Sequence, residues 1–100
     1  MRHSLAVEES LKILGHNIKV ARIKRRLPQD VLASRAGIGL STLIKIEKGN
    51  AGVAIGTVAS VLSALELGTP FSDIALTDPI GQTLEEDILP KRIRISQNSF

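Results

Sequence analysis

Apolar residues recur along the first part of the chain at steps of three and four positions, the spacing that places them on one face of an α-helix. In the first such segment, about residues 8–26, the apolar stripe consists of Leu11, Leu14, Ile18 and Ala21. Pro28 follows it and ends the helix, because proline disfavours helical geometry in the residue before it. The pattern therefore predicts one long amphipathic helix at the start of the chain.

Shorter helices follow, and glycine or proline marks their boundaries. We predict them at about residues 29–36, 40–48 and 55–66, with a short fifth helix at about 70–76. Gly37 and Gly49 come just past two of the helix ends, where glycine adopts the left-handed conformation without steric penalty. The sequence thus predicts an all-α domain of five helices over residues 8–76.

Residues 77–100 are predicted to form a C-terminal extension beyond the helical domain. Residues 81–89 carry a weak helical pattern. Ile93 and Ile95 then alternate with two arginines, which favours a short β-strand that pairs with a second copy or a partner. A tail without fixed structure is the alternative.

The composition narrows the possible classes of function. The chain has two Phe and no Tyr or Trp, which argues against RNA or single-strand binding by base stacking. It has no Cys, so neither disulfides nor thiolate metal sites are expected, in agreement with a cytoplasmic location. No apolar run reaches the length of a membrane helix, about 18 residues. Glu8 and Glu9 fall too early for a secretory signal peptide.

Charge is distributed unevenly between the two halves of the chain. Residues 1–50 contain ten Lys or Arg and four Asp or Glu, whereas residues 51–100 contain three Lys or Arg and six Asp or Glu. A basic half favours a polyanionic partner such as nucleic acid. A solvated charged surface without a partner is the alternative at this stage.

The segment LPQDVLASRAGIGLSTLIKIEKG, residues 27–49, has the requirements of a helix-turn-helix. That motif needs a small residue where the helices touch, a glycine in the turn and apolar residues facing inward. Ala33 is the small residue and Gly37 is the turn. The inward positions are filled by Leu32, Ala36, Ile38, Leu43 and Ile46.

Residues 11–68 resemble the Cro/C1-type (XRE) helix-turn-helix transcriptional regulators. The resemblance includes LGHNIKVARIKRRL, PQDVLASRAGI, STLIKIEKG and VAIGTVASVLSALEL. It implies a five-helix, lambda-repressor-like DNA-binding domain whose third helix enters the major groove. It also implies a homodimer that binds double-stranded DNA at an inverted-repeat operator.

The third predicted helix supplies the candidates for reading bases. Ser41 and Lys45 lie one turn apart, opposite Leu43 and Ile46, and both side chains can bond to base edges. Leu40 and Ile44 also fall on the outward side. They are expected either to touch thymine methyl groups or to weaken sequence discrimination.

Other polar residues are candidates for phosphate contacts, which set the register of a protein on DNA. In the resembling family the glutamine at the position of Gln29 binds a backbone phosphate. Thr42, Lys48 and Asn50 flank the predicted reading face. Lys24, Arg25 and Arg26 are open to two interpretations, general attraction of phosphate or a solvated helix end. An ordinary exposed polar side chain is the alternative for each.

The resemblance also implies structural roles. Arg22 and Glu47 occupy positions that form an ion pair in the family and join the first helix to the third. Pro28 and Ala54 stand where the helix N-caps are usually Ser or Thr, so capping bonds are expected to be missing. The candidates for a dimer or partner surface are Leu65, Leu67, Phe71, Ile74, Ile93 and Ile95.

The C-terminal region has a second resemblance. An acidic stretch followed by LEEDILPKRIRI is similar to HipB-like antitoxins, which bind a HipA-like kinase toxin and repress their own operon. This implies a repressor that is also an antitoxin. The alternative is an autonomous phage-type repressor whose tail stabilises a dimer and binds no toxin.

An enzyme is not expected. His3 and His16 have no Cys, Asp or Glu at the spacing of metal ligands. The acidic residues that are adjacent in sequence point to different sides and do not form an acid–base pair. Neither a metal nor a cofactor is predicted.

Overall fold

The computed structural model describes residues 3–87 of the 100-residue chain, and this part is all-helical. Five α-helices and one short 3-10 helix follow one another. They are α1 (Leu5–Lys24), α2 (Gln29–Ala36), α3 (Leu40–Glu47), α4 (Ile55–Ala64), the 3-10 helix Pro70–Asp73 and α5 (Pro79–Asp87). The prediction of an all-α, five-helix fold is therefore confirmed. The strand predicted at Ile93 and Ile95 lies outside the described residues.

The fifth helix differs from the prediction. The segment predicted as a helix at about 70–76 forms only the four-residue 3-10 helix. The fifth α-helix is instead α5, which begins at Pro79, where the sequence pattern was weak. Proline is well tolerated in the first turn of a helix, and the Asp78 side chain accepts a hydrogen bond from the Gly81 N–H at 2.9 Å. Asp78 thus supplies a cap that the apolar periodicity did not indicate.

The chain divides into two compact units, Met1–Pro70 and Phe71–Phe100. The first unit contains α1 to α4, and its core consists of Ile18, Leu32, Ala33, Leu43, Ile46, Val61, Leu62 and Leu65. Within it, α2 packs against both α3 and α4, and α1 packs against α3. α3 is thereby held from two sides.

Leu65 requires a correction. It was predicted at a dimer or partner surface, but its side chain is fully buried in the first unit. Leu65 lies four positions after Val61, which is also fully buried, so both residues project from the inward side of α4. Leu65 belongs to the core and is not available to a second molecule.

α1 begins at Leu5, three residues before the predicted start at about residue 8, whereas the expected missing caps and left-handed glycines are observed at the ends of the following helices. The Ser4 Oγ accepts a hydrogen bond from the Val7 N–H at 3.3 Å and caps α1. Pro28 and Ala54 precede α2 and α4 without any side-chain capping bond. Gly37 and Gly49 have φ of 71° and 80°, the left-handed conformation expected of them.

A serine at position 54 is expected to stabilise the protein. Ala54 has φ −62° and ψ 140°, the backbone geometry of an N-cap. In Ala54→Ser the hydroxyl can accept a bond from a free N–H of the first turn of α4, which contributes about 1 kcal/mol. Thermal denaturation followed by circular dichroism should show a rise in Tm of about 4–8 °C. The control is Ala51→Ser, an exposed position in the same loop that is not an N-cap, and an equal rise there would contradict the capping explanation.

Candidate nucleic-acid interface

α2 and α3 form a compact helix-turn-helix. The turn, residues 37–39, is closed by a hydrogen bond from the Ile38 N–H to the Ala33 carbonyl at 3.0 Å. Ala33 is 2% exposed, so the small residue predicted at the crossing is buried there. Leu32 of α2 and Leu43 of α3 are fully buried. These contacts fix the inward side of α3 and leave its opposite side at the surface.

The exposed side of α3 contains the four residues predicted to read bases. Ser41 and Lys45 are exposed, Leu40 is 45% exposed and Ile44 is half-buried. Their positions are i, i+1, i+4 and i+5, which is one continuous face of a helix. The surface is polar and cationic at Ser41 and Lys45 and aliphatic at Leu40 and Ile44. These are the kinds of contact that base edges and thymine methyl groups accept.

A buried ion pair joins α1 to the end of α3. The Arg22 Nε donates to the Glu47 Oε2 at 2.7 Å, and the Arg22 Nη2 donates to the Glu47 Oε1 at 3.1 Å. The Arg22 Nη1 donates to the Leu27 carbonyl at 2.9 Å. The two side chains are only 10% and 4% exposed. The pair implied by the sequence resemblance is therefore present, and it is a two-bond contact in a desolvated position.

Gln29 extends this network to α2. Its Nε2 donates to the Glu47 Oε1 at 3.0 Å, an internal bond that the sequence did not indicate. One N–H of the side-chain amide is thereby used within the protein. The second N–H of this amide has no partner among the described residues, because an amide nitrogen carries two donors and only one is used. Glu47 thus contacts residues of both other helices that hold α3.

Two glycines bring the backbone of α1 into contact with the end of α3. A Cβ on Gly15 would lie 2.7 Å from the Glu47 carbonyl oxygen and would also overlap the Ile46 carbonyl. A Cβ on Gly49 would lie 2.6 Å from the Lys12 Cα. The pattern of apolar residues gave no sign of this contact. The available signal was Gly15 itself, because a glycine inside a helix is unfavourable and often has a packing reason.

The remaining phosphate candidates lie in the first turn of α3 and just beyond its last turn. Lys48 is exposed, and its N–H donates to the Ile44 carbonyl at 3.1 Å. Thr42 is half-buried. The Asn50 Oδ1 accepts from the Gly52 N–H at 2.7 Å, so the Asn50 amide nitrogen points away from that bond. Thr42 thus precedes the middle of α3, whereas Lys48 and Asn50 follow its last residue.

No protein-family model matches this sequence, and no curated protein matches it. Over residues 3–87, no three His, Cys, Asp or Glu side chains lie together as metal ligands would. None of the helices in this part of the chain has both the length and the apolar character needed to cross a bilayer.

The other candidates for a dimer or partner surface are placed separately. Leu67 is 46% exposed in the first unit. In the second unit Ile74 is 65% exposed and Phe71 is half-buried. Ile93 and Ile95 lie beyond the described residues.

Proposed function

We propose that this protein is a homodimeric transcriptional repressor that binds double-stranded DNA in a sequence-specific manner through α3. The observation that carries the proposal is the helix-turn-helix of residues 29–47, whose second helix is fixed on one side and exposes Ser41 and Lys45 on the other. An α-helix fits the major groove of B-DNA, where each base pair presents a distinct set of donors and acceptors.

The chemistry of the surface supports double-stranded DNA over other nucleic acids. The basic charge is concentrated in residues 1–50, which contain α1, α2 and α3. Aromatic side chains, on which unpaired bases stack, are confined to two Phe residues, both in the half of the chain that lacks these helices. A short polar and cationic helix beside a basic surface suits a groove lined by phosphates.

Homodimerisation follows from the size of the reading surface. A single eight-residue helix contacts few base pairs, so one copy gives little discrimination. Two copies related by a two-fold axis would place their α3 helices in successive major grooves, about 34 Å apart, on an inverted-repeat operator. Leu67, Phe71 and Ile74 remain the described candidates for contacts between copies.

Substitution of two lysines one turn apart, Lys45 and Lys48, distinguishes base reading from general attraction of phosphate. Lys45→Ala is expected to weaken binding to the operator by about 1–3 kcal/mol and to leave binding to unrelated DNA much less affected. Lys48→Ala removes the same charge at the end of the helix and should weaken both alike, because phosphate contacts carry no sequence information. Fluorescence anisotropy gives, for each variant, the ratio of its affinity for the operator duplex to its affinity for a scrambled duplex. Equal ratios for the two variants would show that Lys45 is not a reading residue.

A second function, binding of a HipA-like kinase toxin, is favoured by the second unit. It exposes three large aliphatic side chains, Ile74, Leu76 and Ile80, at 65%, 70% and 76%. The same unit is acidic, and Asp73 and Asp78 are interspersed in the sequence with these aliphatic residues. Co-purification of a kinase in stoichiometric amount from nuclease-treated extract of the source cells would support the antitoxin role. Recovery of the dimer alone would favour an autonomous repressor.

A further inference from the structure

A surface cavity of about 470 Å³ lies between α1 and the loop that follows α3. It is lined by His3, Glu8 and Lys12 on one side and by loop residues 49–52 on the other. The Asn50 N–H donates to the Lys45 carbonyl at 3.0 Å, which connects the loop directly to the last turn of α3. The cavity therefore lies next to the C-terminal end of α3.

We propose that this cavity binds a DNA phosphodiester, with the Lys12 ammonium and the Asn50 side-chain amide as the donors. This inference rests on the proposed function, and it adds Lys12, which no motif indicated, to the DNA-contacting residues. A phosphate held here would anchor the DNA strand next to the C-terminal end of α3. The contact would set the register of the helix and not its sequence preference.

The geometry makes both donors available. Lys12 is exposed, and within the described residues its ammonium has no hydrogen-bond or ion-pair partner. Gly49 holds the Lys12 backbone in direct contact with the loop, so the lysine side chain begins at the wall of the cavity. The Asn50 Oδ1 is occupied by the Gly52 N–H at 2.7 Å. This leaves the two N–H donors of the same amide for a ligand, and donors of this kind bind anions.

Removal of the Glu8 charge should change DNA affinity in the opposite direction to removal of the Lys12 charge. Its carboxylate lines the same cavity and would repel a bound phosphate. Glu8→Gln is therefore expected to raise the affinity for operator and scrambled DNA by about twofold to fivefold at low salt. Glu9 is the matched control, because it is the next residue of α1, carries the same charge and does not line the cavity. Glu9→Gln should have a smaller effect.

The central test is the salt dependence of DNA binding by the full-length chain. Lys12→Gln should weaken binding to operator and scrambled duplexes alike and reduce the slope of log K against log salt concentration by about one. The packing should survive, since the atoms of Lys12 nearest to a Cβ built on Gly49 are its Cα and N, which the substitution keeps. Asn50→Asp keeps an oxygen acceptor for the Gly52 N–H, removes both amide donors and adds a negative charge, so it should weaken binding in the same sequence-independent way.

The outcomes separate this inference from the proposed function. If the unaltered protein bound no duplex DNA, both would be overturned. If it bound its operator, but Lys12→Gln and Asn50→Asp left the affinity and the salt slope unchanged, only the phosphate site would be overturned. NMR shifts of residues 49–52 caused by inorganic phosphate, together with an unchanged DNA slope, would likewise identify a site for free anions and overturn the DNA contact.

Discussion

Replacing Glu47 with alanine should destabilise the protein by about 3–5 kcal/mol, because it leaves the Arg22 guanidinium buried without its counter-charge. Arg22 donates two bonds to Glu47, at 2.7 and 3.1 Å, and both side chains are largely inaccessible to water. Gln29 would also lose its acceptor. Domains of this size have a free energy of unfolding of about 5–15 kcal/mol, so the loss would remove a large part of the protein's stability. Urea denaturation followed by circular dichroism measures the loss.

A double variant distinguishes the cost of an unpaired buried charge from the cost of lost packing. Arg22→Met combined with Glu47→Leu removes both charges and keeps similar volumes, and replacement of a buried pair by apolar residues is often close to neutral. We expect the double variant to be more stable than Glu47→Ala alone. If the two were equally unstable, the loss would come from packing and not from an unpaired charge.

Gly15→Ala should lower the free energy of unfolding by about 1–3 kcal/mol, although alanine favours helix formation over glycine by about 1 kcal/mol. The added Cβ would overlap the carbonyl oxygens of Ile46 and Glu47, which are backbone atoms and cannot rotate away. α1 and the end of α3 would have to move apart. The contact that positions α3 would then be weakened, and so would the approach of Arg22 to Glu47.

Gly56→Ala is the matched control. Gly56 is exposed within α4, and a Cβ there would meet nothing within 4 Å. This variant should gain about 0.5–1 kcal/mol from the lower entropy of the unfolded chain and the better helix propensity. Thermal or urea denaturation of the two variants should therefore give changes of opposite sign. A stabilised Gly15→Ala protein would contradict the close contact between α1 and α3.

The sequence predicted the helices well because their determinants are local. The bounds of α2 are those expected, since Pro28 and Gly37 stop the chain from continuing a helix on either side. The side of α3 that faces outward was also predicted correctly, because Leu43 and Ile46 fix the inward side by their spacing. α5 was indicated weakly, because its cap at Asp78 lies outside the apolar pattern.

Contacts between helices were harder to predict. Whether Leu65 faced the core or a second molecule depended on which other helices lie beside the end of α4, and apolar character alone does not distinguish these cases. The bond between Gln29 and Glu47 depends on the angle between α2 and α3. The approach of Gly15 to the end of α3 depends in the same way on how α1 crosses it. Such distances are set by tertiary packing and not by spacing along one helix.

The most direct test of the central proposal is selection of bound duplexes from a random double-stranded DNA library with the full-length protein, followed by sequencing. If α3 reads DNA in a homodimer, the selected sequences should share an inverted repeat with half-sites about one helical turn apart. The Lys45→Ala protein, selected in parallel, should enrich that repeat weakly or lose a preference within each half-site. Enrichment of no sequence by the unaltered protein, or of the same repeat by the Lys45→Ala protein with equal strength, would contradict base reading through this face of α3.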